Sequence, residues 1–156
     1  MRILHLLSQT HLTGPEVYVA AICRRQMADG HDCTIVSDTL SVQTDATYIS
    51  MSIHNRSLVN RLRNIMKLTS LCRREKIDLI NTHSRAASWI ANVVAKITGV
   101  AYVSTIHGRQ STRAARRKIS VYGQHIIVVC EHLRDHVRDE LNIADADVRV
   151  IRNGFE

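Results

Sequence analysis

This chain of 156 residues is short of several things. It has one proline, six glycines, one tryptophan and one phenylalanine, and aromatics make up only 4% of it. With 45% hydrophobic and 22% charged residues, such scarcity of proline and glycine excludes collagen-like, low-complexity and disordered classes. Few aromatics argue against single-stranded nucleic acid as a partner, because that ligand needs stacking platforms. The four cysteines (23, 33, 72 and 130) show no CxxC spacing and fall within helix-like or strand-like stretches. They read as reduced small hydrophobes of a cytoplasmic protein, and the pattern speaks against disulfides and zinc alike. Long apolar runs are missing too. The opening Met1-Arg-Ile-Leu-His-Leu-Leu7 is too short and too soon interrupted for a signal peptide or membrane span. Acidic residues are outnumbered, 14 against 21 basic, for a net charge of +7. That balance favours an anionic partner (nucleotide, phosphorylated sugar, acidic lipid or nucleic acid) without choosing among them.

What is present is alternation. The length suits about one domain with a real core. Strand-like runs at Arg2–Leu7, Cys33–Val36, Tyr48–Ile53, Leu79–Thr82, Tyr102–Ile106, Gln124–Val129 and Val148–Ile151 are separated by helix-like ones. The first helix is expected over Pro15–Asp29, closed by Gly30 as a C′ residue. Leu58, Leu62, Ile65, Thr69 and Cys72 recur at helical spacing and predict a second helix with a basic outer face. Ala87, Ile90, Val94 and Ile97 mark a third, stopped by Gly99, and Leu133, Val137 and Leu141 stripe a fourth. Such βα alternation implies a mostly parallel sheet in a three-layer, Rossmann-like α/β domain with helices on both faces. No internal repeat or second domain is visible. The sequence stops at Asn153-Gly-Phe-Glu156 in what reads as a turn, which leads to the expectation of a fragment.

Two histidines follow strand-like runs directly. His83-Ser84 and His107-Gly108 would emerge together at the carboxyl edge of such a sheet, where open α/β folds hold ligands. His107 could donate or accept near neutral pH, and Gly108 would leave its surroundings open. His83 reads equally as a structural group. Between the first strand and first helix, Thr13, Gly14 and Pro15 lead into a turn whose free N–H groups suit an anion, or merely connect the two elements. One glycine there is no dinucleotide fingerprint, which needs three. Arg109, Arg113, Arg116, Arg117 and Lys118 form a basic run that either grips an anionic acceptor or membrane surface or is a solvated face. Glu131 would open a helix near its positive end as a stabilising acid or as a ligand contact. His132 and His136 share a helix face but lack a third ligand, so a surface pair is expected rather than a metal site.

Four pieces carry a family resemblance. Met1-Arg-Ile-Leu-His-Leu with Thr13-Gly-Pro-Glu16 resembles the first strand and Gly-Gly-x-Glu loop of GT-B glycosyltransferases of the retaining family 4. Asn81-Thr-His-Ser84 resembles that family's strand ending in His-Ser or His-Ala, and Ser104-Thr-Ile-His-Gly108 its Thr-x-His-Gly. Val128-Val-Cys-Glu-His-Leu133 with Val150-Ile-Arg-Asn-Gly154 is similar to the Val-Ser-x-x-Leu and Ile-x-Asn-Gly pieces. The resemblance implies the amino-terminal, acceptor-side half of a two-domain enzyme, residues 1–152, with residues 153–156 starting the hinge. It implies transfer from a nucleotide-sugar donor to a glycan or lipid-linked acceptor, with no metal or other cofactor. His107 would be catalytic, while Thr13, Gly14, His83, Ser84, Gly108, Arg109, Glu131 and Asn153 would bind substrate. Thr13 departs from the family's first glycine, and the carboxyl-terminal half with its Glu-x7-Glu nucleotide-sugar site is not in the sequence. The chain by itself is therefore expected to be inactive. Two other readings compete: a non-enzymatic basic module for anionic lipid or nucleic acid, and a sugar-nucleotide epimerase on the same architecture.

Overall fold

A computed structural model describes residues 1–110, 121–123, 125–144 and 147–154. Among these residues seven strands form one sheet: β1 (Arg2–Leu6), β2 (Asp32–Ser37), β3 (Thr47–Ser50), β4 (Leu79–Thr82), β5 (Ala101–Ile106), β6 (His125–Val128) and β7 (Val148–Val150). Their order is β3-β2-β1-β4-β5-β6-β7, and every pairing is parallel. The direction of winding reverses at β1, so a crevice opens between the ends of β1 and β4.

The alternation along β1 shows how both faces are covered. Ile3 and Leu7 pack with Tyr18, Val19 and Cys23 of α1 (Gly14–Ala28), while Leu4 and Leu6 pack with Leu68 and Leu71 of α2 (Leu58–Arg74) and Ile90 of α3 (Arg85–Thr98). A strand buried on two sides reads as a continuous apolar run, and β1 does so after the exposed Arg2 except at His5.

Helix ends follow local chemistry. Thr13 is the N-cap of α1, which begins at Gly14, one residue earlier than expected, with Pro15 in its first turn. At the other end Gly30 has φ +84, and the bonds Gly30 N–H to Met27 O and His31 N–H to Gln26 O make a Schellman closure. Ser84 Oγ accepts from the Ala87 amide to cap α3, and Gly99 ends that helix in the left-handed region. The last helix, α4 (Glu131–Asp135), widens into a π-helical turn over His136–Glu140, and its stripe Leu133, Val137 and Leu141 is buried.

The second helix corrects its expected facing. Leu58 and Leu62 are 82% and 60% exposed, whereas Asn60, Asn64, Leu68, Leu71 and Cys72 are buried. The cause is the loop before the helix. Asn60 Nδ2 donates to the carbonyls of Ser52 (2.6 Å) and Asn55 (2.9 Å), and Asn64 Nδ2 donates to Ser52 (2.7 Å). The buried asparagine side chains thus find acceptors in the loop backbone, which two leucines could not use, so the first two turns present asparagine inward and leucine outward. The third strand is also shorter than the apolar pattern implies: after Ser50 the chain turns, with the Ile53 amide bonding Met51 O at 2.8 Å.

Candidate functional site

Parallel register puts the ends of β1, β4 and β5 side by side, and with them three imidazoles. His5 Nδ1 lies 3.0 Å from His83 Nε2, and His83 Nδ1 lies 3.0 Å from His107 Nε2. The ring centroids are 5.3 Å apart at both steps, with interplanar angles of 29° and 31°. At the inner end His5 Nε2 meets Gln26 Oε1 of α1 at 2.9 Å. At the outer end His107 is half-buried, with the ring of Tyr18 set edge-on 4.8 Å from it. His5 and His83 are buried, and His83 is further fixed by its amide bonding Leu6 O at 3.0 Å.

Burial sets the charge state of this row. Desolvation pulls His5 and His107 down to about 4, the Gln26 bond opposing it at His5. His83 lies well below the usual histidine range through desolvation first, then its two histidine neighbours. All three are neutral at pH 7, so His107 offers one donor and one acceptor nitrogen rather than a cation.

The β1–α1 loop completes the rim. The Thr13 hydroxyl donates to the Gln9 side chain, and the Gln9 amide donates to Asp38 Oδ2 at 3.2 Å. Glu16 is buried. One of its carboxylate oxygens accepts from the amides of Ser41 and Val42, tying α1 to the loop after β2. Gly14 stands four residues before Tyr18 on the same helix face, and a Cβ built on it meets nothing within 4 Å. Gly108 is equally open. A ligand above the sheet would thus find backbone without a side chain at Gly108, next to His107, and at Gly14, one turn of α1 before Tyr18.

These observations bear on lineage. A family profile described as Glycosyltransferase Family 4 matches residues 12–156. The chain belongs to that family. It is 24% identical over 133 residues to UDP-Gal:alpha-D-GlcNAc-diphosphoundecaprenol alpha-1,3-galactosyltransferase of Escherichia coli, covering 78% of this chain and 34% of that enzyme. Its fold matches a Rickettsia africae glycosyltransferase with a TM-score of 0.86 at 18% identity, covering 98% of this chain and 43% of the other. Anabaena HepE, solved in complex with UDP and glucose, matches with a TM-score of 0.80 at 15% identity, covering 100% and 45%. The family 4 chain therefore has the α/β, Rossmann-like half of a GT-B fold, and it spans about a third of the length of the curated relative.

Other expected site residues of the family 4 chain are engaged elsewhere on the rim. Ser84 caps α3. Arg109 reaches His132 Nε2 at 3.2 Å and is bonded to the Glu140 carboxylate, so an anion there competes with an existing pair. Glu131 is an exposed first-turn acid, 3.7 Å from Arg134. Asn153 lies beyond β7, its Oδ1 buried without a hydrogen-bond partner. The basic residues Arg113, Arg116, Arg117 and Lys118 lie outside the described residues, as do Phe155 and Glu156 of the hinge.

His132 and His136 are not a surface pair. His136 is buried, accepting from the Gln110 amide at 3.0 Å through Nε2, with Nδ1 3.2 Å from Glu140. A deep contact with the loop after β5 turned it inward, at the point where the helix widens. His5, Cys23 and Cys33 are the candidate metal set among the described residues, their ligand atoms within 4.8 Å of one another. Both nitrogens of His5 are already hydrogen-bonded, so the trio reads as packed core around Gln26.

Sequence reasoning overlooked His5, Tyr18 and Gln26. A signal existed for each. His5 interrupts the apolar run Ile3–Leu7, and Tyr18, Ile22 and Gln26 repeat at four-residue spacing down one face of α1.

Proposed function

We propose that this chain is the acceptor-side half of a retaining glycosyltransferase. It moves a sugar from a nucleotide-sugar donor to a glycan or lipid-linked acceptor in bacterial cell-surface polysaccharide or lipopolysaccharide synthesis. Family membership and the galactosyltransferase relative support the reaction class. The greater length of the relatives supports a further domain; in this reading that domain binds the nucleotide sugar and the hinge to it starts at Asn153.

The observation that carries the reading is His107. It is a neutral imidazole at the carboxyl edge, braced by His83 and Tyr18 and followed by the open Gly108. In this role it orients the reacting sugar by hydrogen bonding, while Thr13, Gly14, Ser84, Gly108, Arg109 and Glu131 surround the substrates. Assay of the full-length enzyme carrying His107→Ala tests this. Transfer should fall sharply, by about 10²–10⁴ if a proton moves through the ring and by less if it only orients. Near-normal transfer would remove His107 from the site. Release of an isomerised sugar nucleotide without any acceptor would replace the transferase by an epimerase.

The enzyme works in the cytoplasm, with peripheral contact to an anionic membrane. No helix of the described residues is long and apolar enough to cross a bilayer. Contact instead falls to α2, where Leu58, Val59, Leu62 and Met66 are exposed in a stretch that holds six basic and no acidic residues between 56 and 74. Apolar side chains flanked by arginine and lysine suit an anionic headgroup layer. A purely electrostatic module for lipid or nucleic acid accounts for that face but leaves the buried histidine row without a task.

A further inference from the structure

The three-histidine row has a direction. Gln26 Oε1 is approached from two sides, by His5 Nε2 at 2.9 Å and by the Cys33 sulfur at 3.3 Å. Burial raises the Cys33 pKa, so the sulfur is a protonated thiol, and Gln26 Oε1 at 3.3 Å is a nearer acceptor for its hydrogen than Cys23 O at 3.9 Å. A group that receives a thiol hydrogen is an acceptor, which assigns the carbonyl oxygen rather than the amide nitrogen to that end of Gln26.

The consequence propagates outward. A neutral imidazole has one N–H and one bare nitrogen. With Gln26 accepting, His5 carries its hydrogen on Nε2 and leaves Nδ1 bare. His83 must then donate from Nε2 to His5 and keep its own Nδ1 bare. His107 in turn donates from Nε2 to His83 Nδ1. Five of the six ring nitrogens are thereby used, and His107 Nδ1 has no partner among the described residues.

We propose that Gln26 sets, through His5 and His83, which nitrogen of His107 carries the hydrogen, so that Nδ1 is presented bare to accept a hydrogen bond from a substrate hydroxyl. Gln26, His5 and His83 are positioning residues, acting only through His107. The ligand class is a polyol such as a sugar, whose hydroxyl must donate. The wrong tautomer would set donor against donor. This proposal rests on the glycosyl-transfer reading for its ligand but not for its tautomer. Substitution at half-exposed Gln26 is compatible with the fold, because α1 is anchored elsewhere by Val19 and Cys23.

The test is nitrogen-15 NMR of the imidazoles in this chain at pH 7.5, which distinguishes a protonated from a bare ring nitrogen directly. In the wild type and in Gln26→Glu, which keeps an acceptor, His107 Nδ1 should be bare. In Gln26→Leu both tautomers of His107 should appear, and in Gln26→Lys, which offers a donor, Nδ1 should be protonated. In the full-length enzyme Gln26→Leu should lower kcat roughly fivefold, the scale of one hydrogen bond, with Gln26→Glu restoring it. A protonated Nδ1 in the wild type overturns the proposal, as does a His107 tautomer indifferent to both Leu and Lys. If Gln26→Leu does not fold, the wild type and Gln26→Lys still decide. Tautomers that respond as stated in an enzyme that transfers no sugar would instead overturn the proposed function.

Discussion

His107 Nε2 lies 3.0 Å from His83 Nδ1, so the half-buried imidazole ending β5 is held by the buried one ending β4. Each ring sits one residue past its strand, and the parallel pairing of β4 with β5 brings those two ends together. The arrangement makes the site sensitive to the core beneath it, and it fixes the sign of an acid effect on stability.

His5 and His107 both titrate near 4 when folded, below their ordinary value of 6.5, because burial disfavours the cation. Between those values the unfolded chain binds more protons than the folded one. Stability is therefore complete above about pH 6.5 and is lost as pH falls toward 4. For His5 alone the loss amounts to about 3 kcal/mol. Urea unfolding at intervals from pH 7.5 to 4.5 checks this, and a midpoint independent of pH would contradict it.

Gly14→Val should separate binding from folding. The added side chain enters open space, so the unfolding free energy should change by less than about 1 kcal/mol. If substrate approaches this backbone, KM of the full-length enzyme should rise about tenfold. An unchanged KM would take the loop out of the site.

Gly123→Ala should act in the opposite way. Gly123 has φ +75, and a Cβ there would lie 2.7 Å from Cδ1 of the Tyr102 ring. That ring is fixed, its hydroxyl bonding Val121 O at 2.7 Å. A loss of about 1–3 kcal/mol is expected in thermal or urea unfolding, combining backbone strain with overpacking.

The outward face of α2 predicts a surface effect only. Leu62 and Met66 are 60% and 65% exposed, so Leu62→Glu with Met66→Glu should leave the melting temperature within a few degrees. Co-sedimentation with phosphatidylglycerol vesicles should fall severalfold and should weaken with salt in the parent chain. Equal binding to neutral vesicles, or binding untouched by the double change, would dismiss the membrane contact.

Much of the architecture was legible from pattern. The run Leu79–Thr82 is bounded as its pattern implied, and as a central parallel strand it is covered on both faces, Asn81 and Thr82 included. The stripe Leu133, Val137 and Leu141 is buried as its spacing requires. Legibility failed at α2, where periodicity alone pointed Leu58 and Leu62 inward. Side-chain bonds from Asn60 to the loop carbonyls of Ser52 and Asn55 outweighed two leucines, and helical periodicity does not register such a bond. It failed again at His136, which is near His132 along the helix but is claimed by the Gln110 amide.

The sequence by itself determined the alternation of strands and helices, and hence a parallel sheet whose carboxyl edge carries His83 and His107. Periodicity and local caps are short-range properties, written within a few turns of chain. Which nitrogen faces which was decided only by tertiary structure. His5, Gln26, His83 and His107 come from four elements up to 102 positions apart in sequence, from 5 to 107, and only strand register and the packing of α1 bring them to hydrogen-bonding distance. A hydrogen bond depends on tenths of an ångström, and that scale is set by the closed core, not by spacing along the chain.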